Sequence, residues 1–363
     1  MPPRNADKHR NKDTMNRTIA IAGLGAAARQ IHLPAYAKLP NLKVVGGFDP
    51  VAADVGFPFP LYRSVGEMLE KTRPDILAVA APTAHHHELV RSGLEAGCHV
   101  LCEKPFMNSL KEADDIVALS RKLGRWVVVN NQYRFMNIHQ AARRAIGTAE
   151  FGELLFVSVN QTFFTSEATE SGWRGADKQR TCKEFGIHAL DLCRFFFGED
   201  PISIDARMPK GAHPDSPDYL NLIQLEFSGD RVAHILLDRL SRGPHRYLDM
   251  RLDGSAGIVQ TSLGGKLEAN MGLRTRTKKP FFDLDFSLGG HARLYHGERF
   301  RKIASDPLDL FAHATSELMR QFLSAIHEGT APPCHAEDNR RTLALVYAAY
   351  ESAAANRPVV MSY

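Results

Sequence analysis

The sequence predicts an α/β chain in two parts: a doubly wound parallel sheet on the N-terminal side, then an α+β unit with a large, mostly antiparallel open sheet. Three observations carry this. Short apolar runs at 18–22, 42–48, 75–80, 98–101 and 126–130 alternate with helical stretches as far as about Asn131. That is the rhythm of βαβ units and a parallel sheet. From about Gly152 longer alternating runs take over, at 154–164, 219–227, 231–240, 245–252 and 257–261. Third, Ser228-Gly229-Asp230 and Asp253-Gly254 lie between successive runs as hairpin turns.

Length and composition agree. A chain of 363 residues exceeds one ordinary core, so two domains are expected, at 17–135 and 136–363, after a disordered tail over 1–16. Helices from about Asp309 to Glu328 and from about Ala336 to Asn356 should cover the second sheet, the last able to pack back toward the first domain. A net charge of +4 without a basic stripe gives no support to nucleic-acid binding. No apolar run reaches the length of a membrane span, and no signal-peptide core is visible. Five cysteines (98, 102, 182, 193 and 334) lack paired C-x-x-C spacing, which points to free thiols in a reducing cytoplasm and to no zinc site.

The first run leads into Gly23-Leu24-Gly25-Ala26-Ala27-Ala28, followed by a helical stretch from Arg29 to about Lys38. This is the dinucleotide fingerprint of a Rossmann unit, with alanine at the third small position. Gly23 makes the tight turn, Gly25 lets backbone approach a pyrophosphate, and Ala28 keeps helix close to strand. The helix N-terminus, with Ala26 and Ala27, then offers N–H groups to the phosphates. Asp49 follows Ala28 by 21 residues, where an acidic side chain receives the adenosine ribose hydroxyls. Its charge favours NAD over NADP, and Pro50 and Val51 offer no cation for a 2′-phosphate.

A second element is Cys102-Glu103-Lys104-Pro105, after the short run His99-Val100-Leu101. Strand carboxyl ends are where ligands sit in parallel sheets. A lysine half removed from water beside a carboxylate can be tuned for chemistry there, or can be a plain structural pair. Farther on, Glu184, His188 and Asp191 are spaced to share one helical face, so His188 could shuttle a proton with a carboxylate one turn away orienting the ring. From these residues alone an ordinary half-buried histidine with common helix pairs is the favoured reading. Trp173-Arg174 could supply an apolar wall and a cation, or merely anchor a loop. His85-His86-His87 point in different directions and lack acidic or thiol partners, so no metal is expected.

Taken in order, these pieces resemble the glucose–fructose oxidoreductase / inositol dehydrogenase (Gfo/Idh/MocA) family over nearly the whole chain, Thr18 to about Val360. The matching pieces are Gly23-x-Gly25-x-x-Ala28, Asp49, Ala81-Pro82-Thr83 with His86 and Glu88, the Gly97–Pro105 run, Asn131–Phe135, Trp173-Arg174 and Gly186-x-His188-x-x-Asp191. The resemblance implies hydride transfer between a nicotinamide cofactor and a secondary carbinol of a sugar, sugar derivative or inositol. It implies Lys104, Glu184 and His188 as the catalytic group. Ala81, Pro82, Thr83, His86, Glu103, Lys104, Gln132, Trp173 and Arg174 would join the fingerprint and Asp49 in holding NAD. Lys104, Tyr133, Arg134, Trp173, Arg174, Thr181, Glu184 and His188 would meet the substrate.

Two departures stand out. Lys178-Gln179-Arg180-Thr181-Cys182-Lys183 replaces the family's glycine-rich stretch, and Glu184 replaces its aspartate. The first would narrow or recharge the pocket, and the second lengthens a catalytic arm. Two other readings stay open: a glycoside hydrolase or eliminase that retains NAD and oxidises its substrate transiently, and a non-catalytic dinucleotide or sugar sensor. Too few helices cover the second sheet, so a bare apolar face is expected to assemble a homodimer or homotetramer.

Overall fold

A computed structural model describes residues 16–51, 56–165, 178–210, 217–243, 246–273, 277–297 and 299–363. Six parallel strands form the first sheet: β1 (Arg17–Ala22), β2 (Leu42–Phe48), β3 (Leu61–Tyr62), β4 (Ile76–Val79), β5 (His99–Cys102) and β6 (Val127–Val129). Their order is β3-β2-β1-β4-β5-β6, that of the dinucleotide-binding sheet. β4 is buried throughout because helices pack on both sheet faces, which is why these strands read as unbroken apolar runs.

The helices of this half are α1, which opens as a π turn over Ala28–His32 and continues over Leu33–Tyr36, then α2 (Val65–Thr72), α3 (His86–Glu95) and α4 (Leu110–Leu123). Pro34 has no N–H to donate, and the turn before it widens so that Leu33 N reaches Ala28 O. Ser64 and Ser109 cap α2 and α4 by accepting from Glu67 N and Glu112 N. The two glutamates accept in return from Arg63 N and Asn108 N, close to a capping-box arrangement.

After a 3₁₀ turn (Gln132–Phe135) and α5 (Asn137–Ala145), the chain builds a second sheet. Its strands are β7 (Leu154–Thr162), β8 (Ser203–Arg207), β9 (Leu220–Phe227), β10 (Arg231–Asp238), β11 (Arg246–Gly254), β12 (Ile258–Leu263), β15 (Gly290–His296), β16 (Arg299–Asp306) and β17 (Val359–Val360). β13 (Lys266–Leu273) and β14 (Pro280–Ser287) pair only with each other. The order is β16-β15-β12-β11-β7-β10-β9-β8-β17, antiparallel except where β10 runs parallel to β7. Both expected hairpins are present, but only Ser228-Gly229-Asp230 forms the turn expected of it, between β9 and β10. Asp253 and Gly254 end β11, and the turn to β12 lies at 255–257.

The inner face is covered by α5, by α6, a π turn over Cys182–Gly186 continued by Ile187–Phe197, and by α8 (Ala336–Ala355). α7 (Leu310–Glu328), expected to cover this sheet, packs instead on α1 and the Gln132–Phe135 turn. α8 also packs on α4, with Arg121 Nε 2.5 Å from Glu337 Oε1 and Arg340 Nε 2.8 Å from Asp114 Oδ1. One apolar cluster therefore runs from Ile19 and Ile21 in the first sheet through Leu190 to Leu252 in the second. The expected bare apolar face is different in kind. The outer surface of β7, β10, β11 and β12 mixes Phe156 and Leu236 with Ser158, Asn160, Arg251 and Gln260.

Burial of histidines makes this packing sensitive to acid. Burial pushes His99 and His139 down to about 4, and lowers His86 and His188 as well. An unfolded histidine titrates near 6.5, so between roughly pH 6.5 and 4 the unfolded chain binds more protons. Stability from these groups is complete above that window and is lost as pH falls through it. The thermal midpoint should drop steeply over this range, with a shallower slope in His139→Asn. A flat profile in the parent protein would contradict the buried, neutral state of these rings.

Candidate active site

Three strand ends of the first sheet converge where the strand order reverses. After β1, Gly23 has φ +94°, and a Cβ there would lie 2.5 Å from Ala81 N. Only glycine lets the β1 and β4 loops touch in this way. At Gly25 nothing lies within 4 Å of where a side chain would begin, so backbone faces open space at the start of α1. Ala28 is fully buried against the strands. Asp49 follows β2 directly, its Oδ2 accepting from Leu24 N at 2.7 Å and its Oδ1 from Val51 N at 2.8 Å. The carboxylate thus fixes the glycine loop that it adjoins.

After β5, Glu103 is buried and surrounded by donors. Its Oε1 meets His32 Nε2 at 2.8 Å and Asn130 Nδ2 at 2.7 Å, and its Oε2 accepts from Lys104 N at 3.2 Å. His32 Nδ1 lies 2.8 Å from the Tyr36 hydroxyl. Burial alone would raise the Glu103 carboxyl, but the hydrogen bond and charge of His32, with Asn130 and Lys104, hold it at about 2. The Lys104–Pro105 peptide is cis. Lys104 Nζ leaves the first sheet and donates to Glu184 O at 2.8 Å, in the π turn of α6. It lies 6.0 Å from the centre of the Phe185 ring.

One turn on, the His188 ring stacks on Tyr133, with centroids 3.9 Å apart and planes 5° from parallel. The His139 ring centre lies 6.5 Å from that of Tyr133, whose hydroxyl donates to the Tyr247 hydroxyl at 3.3 Å. Burial, then the nearby Lys104 cation, lowers the His188 pKa well below its ordinary value. His188 Nδ1 has no hydrogen-bond partner among the described residues.

These groups line one cleft of about 750 Å³. Of the residues expected from sequence, Gly25, Ala26, Ala27, Ala81, Pro82, Thr83, Glu103, Lys104, Gln132, Tyr133, Glu184 and His188 line it. Gln132 Oε1 is buried there with no partner among the described residues, an acceptor suited to a ligand amide. Together with open backbone at Gly25 and a helix N-terminus at Ala26 and Ala27, this fits a dinucleotide carrying a carboxamide.

Other expected residues lie elsewhere. Arg134 does not line the cleft: it pairs bidentately with Asp191 at 2.6 and 2.7 Å and with Asp338 at 2.9 Å. Asp191 is thereby withdrawn from His188, whose ring is oriented by Tyr133 instead. Glu184 lines the cleft, but its carboxylate lies 3.3 Å from Arg180 Nε and is not on the imidazole. Thr181 is fully buried away from the cleft, its N–H donating to Asp218 Oδ1 at 2.8 Å. His86 is also buried, with Nε2 2.9 Å from Ala81 O and Nδ1 3.0 Å from Pro105 O; its neutral ring donates to one of these carbonyls and does not face the cleft. Trp173 and Arg174 lie outside the described residues.

Sequence reasoning missed Tyr247, Asp309 and Phe311 of the cleft wall. It also missed Asp218, which accepts from Arg180 N, Thr181 N and Cys182 N at the start of α6 and from the Tyr350 hydroxyl. A lone aspartate before β9 carries no local signal for that role.

Comparison with known proteins agrees with this geometry. Residues 17–131 match the oxidoreductase family with an NAD-binding Rossmann fold, and residues 139–260 match the GFO/IDH/MocA C-terminal domain. The chain belongs to the Gfo/Idh/MocA oxidoreductase family. A D-apiose dehydrogenase from Paraburkholderia graminis is 26% identical over 355 residues, covering 94% of this chain and 88% of that protein. Two crystal structures share the fold. One is an oxidoreductase from Agrobacterium radiobacter in complex with NAD⁺, L-tartaric acid and magnesium (TM-score 0.77, 18% identity, 95% of this chain and 98% of that one). The other is an aldose–aldose oxidoreductase from Caulobacter crescentus complexed with glycerol (TM-score 0.77, 20% identity, 95% and 100%).

Glu103 gives this site its test. Glu103→Gln removes the charge facing His32 and loosens the acceptor under Lys104 N. Breaking a buried pair of this kind costs about 3 kcal/mol or more, read as a lower urea midpoint. An unchanged midpoint would contradict the role assigned to Glu103.

Proposed function

We propose that this protein is an NAD-dependent dehydrogenase or reductase acting on a secondary carbinol of a sugar, a sugar derivative or an inositol. The observation that carries this is the meeting of Lys104, from the first sheet, with His188, from α6, in the cleft that the glycine loop borders. A pure binding protein has no need of an amine and a neutral imidazole at one point. The D-apiose dehydrogenase among its relatives supports a carbohydrate substrate.

The roles follow from the chemistry. The nicotinamide, when bound, supplies the hydride acceptor or donor. In the oxidative direction His188 takes the hydroxyl proton, since burial and Lys104 keep its imidazole neutral at pH 7. Lys104 donates a hydrogen bond to the developing alkoxide. In the other assignment Lys104 carries the proton itself, with His188 as its neighbour. Glu184 positions Lys104 through its backbone carbonyl. Gly25, Ala26 and Ala27 would hold the pyrophosphate, Asp49 the adenosine ribose, and Gln132 the carboxamide. The aspartate supports NAD over NADP, because a 2′-phosphate would face its charge.

The domain limits 17–135 and 136–363 belong to this reading, with the cleft between them. Five buried, unpaired cysteines support a reducing cytoplasm. The reading also has the enzyme working as a homodimer or homotetramer.

A panel of sugars, sugar acids and inositols with NAD⁺, followed by absorbance of the reduced cofactor, tests the activity. With a substrate in hand, Lys104→Ala and His188→Ala should each lower kcat by about 10²-fold or more. NAD⁺ affinity should stay nearly constant in both, and should exceed NADP⁺ affinity in the parent. No turnover with any of the panel, or full activity in either variant, would overturn the reading.

A further inference from the structure

The hairpin β13–β14 continues outward from β12 and β15 as an arm with its own eight-pair ladder, from Lys266 opposite Ser287 to Leu273 opposite Pro280. At 3.4 Å per residue it reaches about 27 Å beyond the sheet. At its base Gly264 N donates to Gly289 O at 2.7 Å, and a Cβ on Gly289 would collide with Pro307 O at 1.8 Å. Backbone packed this closely fixes where the arm leaves the sheet.

One face of the arm is apolar and uncovered. Leu267 stands opposite Phe286 and Met271 opposite Phe282, with Leu273 and Leu284 in the same row. These six side chains are 57% to 76% exposed. They present roughly 800 Å² of apolar surface, above the few hundred typical of the largest patch on a monomer. A two-stranded hairpin is at best marginally stable alone in water. An arm of this length with such a face therefore needs a cover.

We propose that the cover is a second copy of this chain, the two arms packing apolar face to apolar face about a two-fold axis. This rests on the homo-oligomeric part of the reading above and adds the surface that builds the assembly. The area decides for a second copy. A stable interface takes about 800 Å² from each partner, and an isologous contact draws the same patch from both. The outer sheet face, with Ser158, Asn160, Arg251 and Gln260, is the poorer candidate because desolvating those groups offsets what its apolar residues contribute.

Light scattering on the full chain at micromolar concentration should give twice, or four times, the chain mass. Met271→Lys combined with Phe282→Lys places two cations at the centre of the contact. That variant should fall to monomer, or from tetramer to dimer, with far-ultraviolet circular dichroism and NAD⁺ binding unchanged. A monomeric parent overturns both the homo-oligomeric reading and this surface. An oligomeric parent whose folded variant keeps the same mass overturns the surface alone. If the variant does not fold, amide exchange over residues 267–286 of the parent decides. Protection that rises with protein concentration is the expected result. Exchange that is the same at every concentration, whether fast or slow, overturns the proposal, including the case of an arm covered by its own chain or by another partner.

Discussion

A charge buried at the end of β5 constrains everything around the cleft. Glu103 lies out of water, where an ionised carboxylate persists only if donors surround it. Its donors come from separate parts of the chain: His32 in α1, Asn130 just after β6, and the backbone of Lys104. Asn130 Oδ1 in turn accepts from Thr315 in α7, at 3.3 Å. The helix that begins at the glycine loop, the edge of the first sheet and α7, which packs on that first helix, are thus referenced to one carboxylate. Lys104 starts from a backbone that cannot drift.

Its amine then bridges to the second half through Glu184 O, and the imidazole that it faces is held by stacking on Tyr133. The division of labour among cations follows from burial and partners. Arg134 and Arg194 are consumed in an ion-pair network with Asp191, Asp200 and Asp338 that locks α6 to α8. The lysine projects into the cleft. The bulky residues at 178–183 are not among those that line the cleft, and the backbone N–H groups of Arg180, Thr181 and Cys182 donate to Asp218.

What could be read from sequence was what local backbone chemistry dictates. The Gly23–Ala28 turn, the lysine at a strand end and the histidine on a helix are each specified within a few residues, and the structure brings all three to one cleft. Arg134, Thr181 and Asp191 were misplaced because their partners lie in Asp338, Asp218 and Arg134, distant in sequence. Helical spacing correctly set Asp191 near His188, yet a guanidinium 57 residues away outcompetes the imidazole for it. β13 and β14 went unread: the arm's alternation is clear, but no buried neighbour marks it as part of a sheet.

The central claim is that Lys104 and His188 act as one unit on one carbinol. A double-mutant cycle on kcat/KM tests it directly, using Lys104→Ala, His188→Ala and the pair. Groups that serve a single transition state are strongly non-additive. The double variant should therefore be little worse than the poorer single one, within about tenfold. Losses that multiply across the two substitutions would show that they act independently, and would contradict the account.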